Sequence, residues 1–345
     1  MKRIIKSIVI ILLLLLTACG NASEEKAKKM LATHLKERYG EEFDIRWGGR
    51  DGYSTPSKKV AWFQFDIVPE SYLGTNKLYD KYYDCYGTVM IRKKLFGEKL
   101  ETPRDTYSNV LLKEQANEFY VKKLKELFGE NVLPVLEVTG SFSVKNKSFL
   151  ENVELTEKRR KENNNTPLYI EGGIYIFGRV ENDADREWYR KQIYEFVQFM
   201  KQTGTFEYVA MQIKILDERC LTDYFDRNKL ELLEAKQKYT TSKDYLEFRE
   251  KFFKKCNNEY EQMTQEEKNI KMDSFNKGEF NDYGTNTYFS LYHMGLTSPK
   301  FKDSEPRDKS RRKEYNSIAD VQLLNSVKIM YEEYYRADNG DIIEK

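Results

Sequence analysis

Two imidazoles, His34 and His293, are all that the chain offers for histidine chemistry. A zinc site needs three or four ligands from His, Cys or carboxylate, and the sequence usually supplies them as local pairs. No His-x-x-x-His, Cys-x-x-Cys or His-Glu pair occurs, so no metal and no cofactor is expected. His34 falls beside an apolar helical stripe. His293 lies in Tyr292-His293-Met294, inside a predicted strand. Both read as half-buried or surface side chains. A nucleophile–imidazole–carboxylate triad is hard to assemble from so few imidazoles.

Other chemical patterns are equally thin. Ser274/Lys277 and Ser310/Lys313 have the spacing that sets a hydroxyl one helical turn from an amine, but neither Lys-Thr-Gly nor Ser-Asp-Asn accompanies them. Gly172, Gly173 and Gly178 alternate with isoleucine and aromatics and open no helix. They mark close packing or a bulge in a strand, not a dinucleotide turn. The alternating carboxylates of Asp183-Ala184-Asp185-Arg186-Glu187 are followed by Trp188 where a calcium loop needs glycine. The positive end of a helix explains them. A glycosidase needs two carboxylates across a cleft, and with 56 acidic side chains no such pair can be singled out by spacing. Cys85 shares strand parity with Tyr83, Val89 and Ile91 and reads as a buried free thiol. Cys220 and Cys256 are the pair that a disulfide would join.

Composition bounds the class. With 58 basic against 56 acidic side chains the net charge is +2, no field with which to gather nucleic acid. A chain that is 40% hydrophobic and 33% charged is too apolar and too near neutral to be wholly disordered. The 25 Tyr and 20 Phe bury large areas each, so a core forms despite a mean hydropathy of −0.75. A length of 345 residues suggests two domains.

The first twenty residues carry an address. Lys2, Arg3 and Lys6 precede an apolar run at 8–16, nine residues long. Crossing a bilayer takes about 20 such residues, so the run is a signal h-region and not a membrane span. Leu16-Thr17-Ala18-Cys19-Gly20 follows. This segment resembles the lipobox of bacterial lipoproteins, a resemblance confined to residues 1–20. It implies cleavage before Cys19, a diacylglycerol on the Cys19 sulfur with palmitate-type chains, and residence at the cell membrane on its extracytoplasmic face. Two acyl chains suffice for stable anchoring. Residues 1–18 are then the signal peptide and 19–22 a tether.

The elements that position the remaining residues predict an α+β fold: two subdomains of antiparallel sheet with helices packed on one face, a helical hairpin and a C-terminal helix. The first subdomain covers 23–144. Ser23 caps a helix whose stripe is Ala27, Leu31, Leu35 and Tyr39, and Gly40 ends it. Strands are expected at 43–47, 60–67 and 82–93, with Gly48-Gly49 and Asp51-Gly52 as turn chemistry between the first two. A helix at 109–128 stops at Gly129, and a strand at 132–144 is interrupted near Pro134. The polar stretch 145–166, with Lys158-Arg159-Arg160-Lys161, reads as an exposed connection and domain boundary. The second subdomain, 167–345, has strands at 169–180, 208–216 and 288–296 and a helix from Asn182 to Gln202 ended by Gly204. A helical hairpin occupies 227–271, with a capping box at Thr241 and Asp244 ahead of the Tyr245–Met263 stripe, and the C-terminal helix 318–336.

One loop offers recognition residues. Trp47, Arg50 and Tyr53, in the glycine-bearing segment between the first two strands, are the residue types most often found as interface hot spots. The favoured functional reading is a non-catalytic binding or interaction protein of the cell envelope, held to the membrane through Cys19. Its partner is an envelope protein or surface polymer, and not nucleic acid. The alternative is a cell-envelope hydrolase using carboxylates in an unrecognised cleft.

Overall fold

Ala27, Leu31, Leu35 and Tyr39 recur every fourth residue, and all four are buried along α1 (Glu24–Tyr39). The Ser23 hydroxyl accepts the Lys26 N–H at the helix start, and Gly40, at φ 70°, closes its end. The computed structural model describes residues 22–56, 59–93, 97–163, 167–180, 182–238, 242–276 and 290–297. They divide into two units. The first holds the described residues up to Leu112 together with Ser141–Arg159; the second holds Lys113–Gly140 and those from Arg160 onward. Two of the three divisions, at 112/113 and 159/160, fall inside helices, and 113–140 leaves the 23–144 block expected from sequence.

In the first unit α1 lies on an antiparallel sheet of order β1-β2-β3-β4, built from β1 (Phe43–Ser54), β2 (Lys59–Pro69), β3 (Tyr86–Lys93) and β4 (Glu98–Leu100). The short β5 (Arg104–Asp105) pairs with β3 beyond β4. Phe63, Phe65, Ile67, Val89 and Ile91 meet the α1 stripe in one core, joined by Tyr107, Val110 and Leu111 from the start of α2 (Tyr107–Phe128). Cys85 is buried with them as a free thiol, its Sγ 3.0 Å from the Ile67 carbonyl.

Two expectations for this unit are corrected. Residues 47–53 are not a loop, because β1 runs unbroken through them. Ile45 faces Ile67 and Gly48 faces Phe65, so one extra residue at Arg46–Trp47 makes a bulge. A Cβ on Gly48 would stand 2.2 Å from the Gln64 carbonyl oxygen, and one on Gly52 2.4 Å from that of Val60. These glycines admit close strand approach; they do not reverse the chain. The connection 145–166 is likewise mostly helix, α3 (Phe149–Asn163). Ser148 and Glu151 form a reciprocal capping box, with Ser148 N–H to Glu151 Oε2 at 2.9 Å and Glu151 N–H to Ser148 Oγ at 3.4 Å. The buried Asn152 takes the Val144 N–H and Thr156 takes the Phe142 N–H, which fastens the helix to the segment before it. Lys158, Arg160 and Lys161 ride its C-terminal turns, where cations suit the dipole.

The second unit has the sheet β6-β7-β8-β9, from β6 (Val132–Thr139), β7 (Tyr169–Gly178), β8 (Val209–Asp217) and β9 (Ser290–Thr297). Antiparallel pairing holds for β6–β7 and β8–β9, but β7 and β8 run parallel, because α4 (Asp183–Gln202) carries the chain back across the sheet between them. Pro134 does not interrupt β6. That strand is an edge, and an edge tolerates a proline whose missing N–H would face away from its one partner. Gly172 supplies the close approach expected of it: a Cβ there would lie 2.2 Å from the Val135 carbonyl oxygen. Tyr120 meets Phe196 and Phe119 meets Phe199, which joins α2 to α4. Ile174 and Ile176 are buried on one side of β7, while Tyr175 and Phe177 on the other side belong to a second cluster with Leu216, Phe225 and Phe252. Apolar residues on both faces of a strand are the mark of a sheet covered on both sides.

The expected hairpin is three helices, α5 (Asp223–Lys238), α6 (Ser242–Tyr260) and α7 (Gln265–Asn276). Cys220 and Cys256 are both buried in that second cluster as free thiols. Cys19, Thr241 and the helix expected at 318–336 lie outside the described residues.

Candidate binding groove

An open groove of about 1390 Å³ runs beside α1 in the first unit. The helix face that lines it, Lys26, Met30, Thr33 and Glu37, repeats at three and four residues and is turned away from the buried stripe. Lys29 and His34 flank that face. Met90 and Arg92 of β3 and the segment 98–104 form the opposite wall, and Ala22 stands at the lip. Lys26, Lys29, Arg92, Lys99 and Arg104 are exposed, and none has an ion-pair partner among the described residues. Glu98 is engaged by Arg50 in a two-pronged contact at 2.6 and 3.0 Å. That hydrogen bond holds the Glu98 carboxyl below its usual range and raises the Arg50 guanidinium.

Behind the groove sits Asp105, whose side chain is wholly buried. Its Oδ2 receives Arg38 Nη1 at 2.9 Å and His34 Nε2 at 3.1 Å; its Oδ1 receives the Tyr39 hydroxyl at 2.6 Å and the Ser108 N–H at 3.3 Å. Burial alone would raise this carboxyl, but the His34 hydrogen bond, the Arg38 charge and the Tyr39 hydroxyl together hold it below its ordinary value. An ionised carboxylate only accepts, so His34 carries its proton on Nε2. Burial, and then the Asp105 charge, push the Tyr39 hydroxyl far above its usual range, so it stays a donor. The Arg38 guanidinium carbon also lies 3.8 Å from the centre of the Phe142 ring.

A carboxylate with four donors and a depressed proton affinity is a poor general acid, which needs the opposite shift. Asp105 instead ties the last turns of α1 to the first turn of α2. It thereby fixes the helix wall that carries Lys26, Lys29 and His34.

Trp47 is 87% exposed and Tyr53 is 52% exposed, both on the edge strand β1. Tyr53 meets the Trp62 ring at 6.1 Å. Arg50 does not join them. Three residues from Tyr53 along a strand it faces the other way, and it is occupied by Glu98. The three expected recognition residues are therefore not one patch. Of the basic clusters, Lys158–Lys161 is helical; of the serine–lysine pairs, the Ser274 hydroxyl donates to the Lys271 carbonyl at 2.6 Å. Lys277, Ser310 and Lys313 lie outside the described residues.

Nothing in the sequence pattern announces the groove, whose cations run from Lys26 to Arg104 and meet only through the fold. Partial signals existed for Asp105: His34 and Arg38 share a helix face, and an aspartate two residues before a helix start can take an N–H of its first turn. Comparison with protein-family models, curated proteins and solved structures finds no match.

Proposed function

We propose that this chain is a lipid-anchored protein of the extracytoplasmic membrane face that works by binding and not by catalysis. The observation that carries the reading is Leu16-Thr17-Ala18-Cys19 after a nine-residue apolar run. The fold is compatible with it. A rigid, capped helix starts at Glu24, five residues past the proposed acylated cysteine, so the folded body follows the anchor almost directly. Among the described residues no helix is long and apolar enough to cross a membrane. The open, cation-lined groove suits an anionic ligand, and the buried carboxylate beside it is saturated with donors, which supports binding over acid–base chemistry.

Metabolic labelling with an alkyne-bearing palmitate tests the anchor. The wild-type chain should take up label and float with membranes, and Cys19→Ala should lose the label and accumulate with its signal uncut. A wild-type chain that takes up no label refutes the reading.

A further inference from the structure

We propose that the groove beside α1 seats the anionic headgroups of the bilayer to which Cys19 attaches the protein. The inference rests on the anchor reading and adds a ligand class to it.

Reach is the first argument. Ala22 stands on the lip of the groove, and three peptide units separate it from Cys19. Each spans at most about 3.6 Å, so the lip lies within about 11 Å of the acylated residue however the tether runs. That is comparable with the screening length of about 8 Å at physiological salt. A diffusing protein would meet headgroups occasionally; an anchored one holds this groove beside them.

Charge is the second. Lys26, Lys29, Arg92, Lys99 and Arg104 converge on the groove without ion-pair partners among the described residues. Glu98, one of the three carboxylates lining it, is neutralised by Arg50. Met30, 37% exposed, and Met90 add apolar surface between the cations. Lysine and arginine stems can lie along such surface and present their charges to phosphate oxygens.

The test uses the full acylated chain, moved from detergent onto preformed vesicles. One set is phosphatidylcholine alone, and the other includes phosphatidylglycerol. Acylation of single lysines by an amine-reactive ester is followed by mass spectrometry, with Lys251 and Lys254 of the second unit as references. Lys26, Lys29 and Lys99 should react about five-fold more slowly on anionic vesicles, the size of one cation's attraction to such a surface, while the references hold their rates. Arg92→Gln with Arg104→Gln should abolish most of that protection without changing the rates on neutral vesicles. Equal rates on both vesicle types overturn the proposal, as does equal slowing of the references. Slowing reproduced on neutral vesicles by inorganic phosphate overturns the headgroup assignment in favour of a free anion. Failure of the protein to float with neutral vesicles is a separate result: it overturns the anchor, and this proposal with it.

Discussion

Replacing Asp105 by asparagine should unlock α1 from α2. The change keeps the side-chain volume and removes one charge from a wholly buried site where Arg38 is only 10% exposed. Deleting one partner of a buried ion pair costs about 3–5 kcal/mol, because the other charge stays behind. Arg38 keeps its contact with Phe142 at 3.8 Å, which favours the lower end, so the expected loss is about 3 kcal/mol. Hydrogen exchange read by mass spectrometry localises such a loss where a global melt of two units would blur it. At about 1.4 kcal/mol per decade, amides of α1 around Leu31 and Leu35 should exchange about a hundred times faster, and those of β7 and β8 should hold their rates.

The same carboxylate gives a pH signature of known sign. Its folded proton affinity is below the unfolded value. The stability it contributes is therefore present above about pH 4, where the unfolded chain ionises, and is lost as pH falls through the lower folded value. The gap between wild type and Asp105→Asn should be full near neutrality and should close in acid. In an Arg38→Leu background the asparagine change should cost much less, since the stranded charge is gone. Unchanged exchange in α1, or a gap that widens as pH falls, would refute the anchoring role.

Four further outcomes follow from the geometry. Gly172, at φ 131° against the β6 backbone, should lose about 1–3 kcal/mol on change to alanine, seen as a lower urea midpoint for the second unit. Trp47→Ala should shift the midpoint of the first unit by less than about 0.5 kcal/mol, given the exposure of that ring; a larger loss would mean the bulge packs against something. Burial raises the Cys220 thiol well above its usual value and the Cys256 thiol to about 11, so neither should react with Ellman's reagent near neutrality until the chain is unfolded. In denaturant the acylated protein should then titrate three of its four cysteines, and a fourth would mean Cys19 is bare.

Elements held by their own stripe were readable from the sequence. The α1 apolar residues are the buried ones, and the glycines at 40 and 129 stop their helices at φ 70° and 84°. The failures share a cause: a residue with two physical uses was given the commoner one. Gly48 and Gly52 read as turn chemistry, yet their lack of a Cβ serves backbone approach inside a strand pair that only the fold reveals. Lys158–Lys161 read as a loop because charge was weighed over capping, although Ser148-Phe149-Leu150-Glu151 spelled the helix start. The hairpin expected at 227–271 divided because Thr264 and Glu267 form another capping box at the entry to α7, with Thr264 N–H to Glu267 Oε2 at 2.7 Å.

Net charge misled in a different way. A balance of +2 over the whole chain argues against a long-range field. It says nothing of local density, which depends on which cations the fold leaves unpaired and where it collects them. Here two carboxylates beside the groove are spent inside the structure, Asp105 on Arg38 and His34 and Glu98 on Arg50, which leaves Glu37 and Glu101 as the other two acidic groups of its lining. Each of those pairings subtracts a negative charge from the surface next to Lys26, Lys29, Arg92, Lys99 and Arg104. Restoring one charge without disturbing the anchor is therefore informative. Arg50→Gln frees Glu98 on the groove wall while leaving Asp105 and its donors intact. It should weaken the protection of Lys99 on anionic vesicles, with little change in α1 exchange. If Lys99 stays as protected as in the wild type, the neutralising role of Arg50 is wrong, and the groove's affinity for anions does not depend on how its carboxylates are paired.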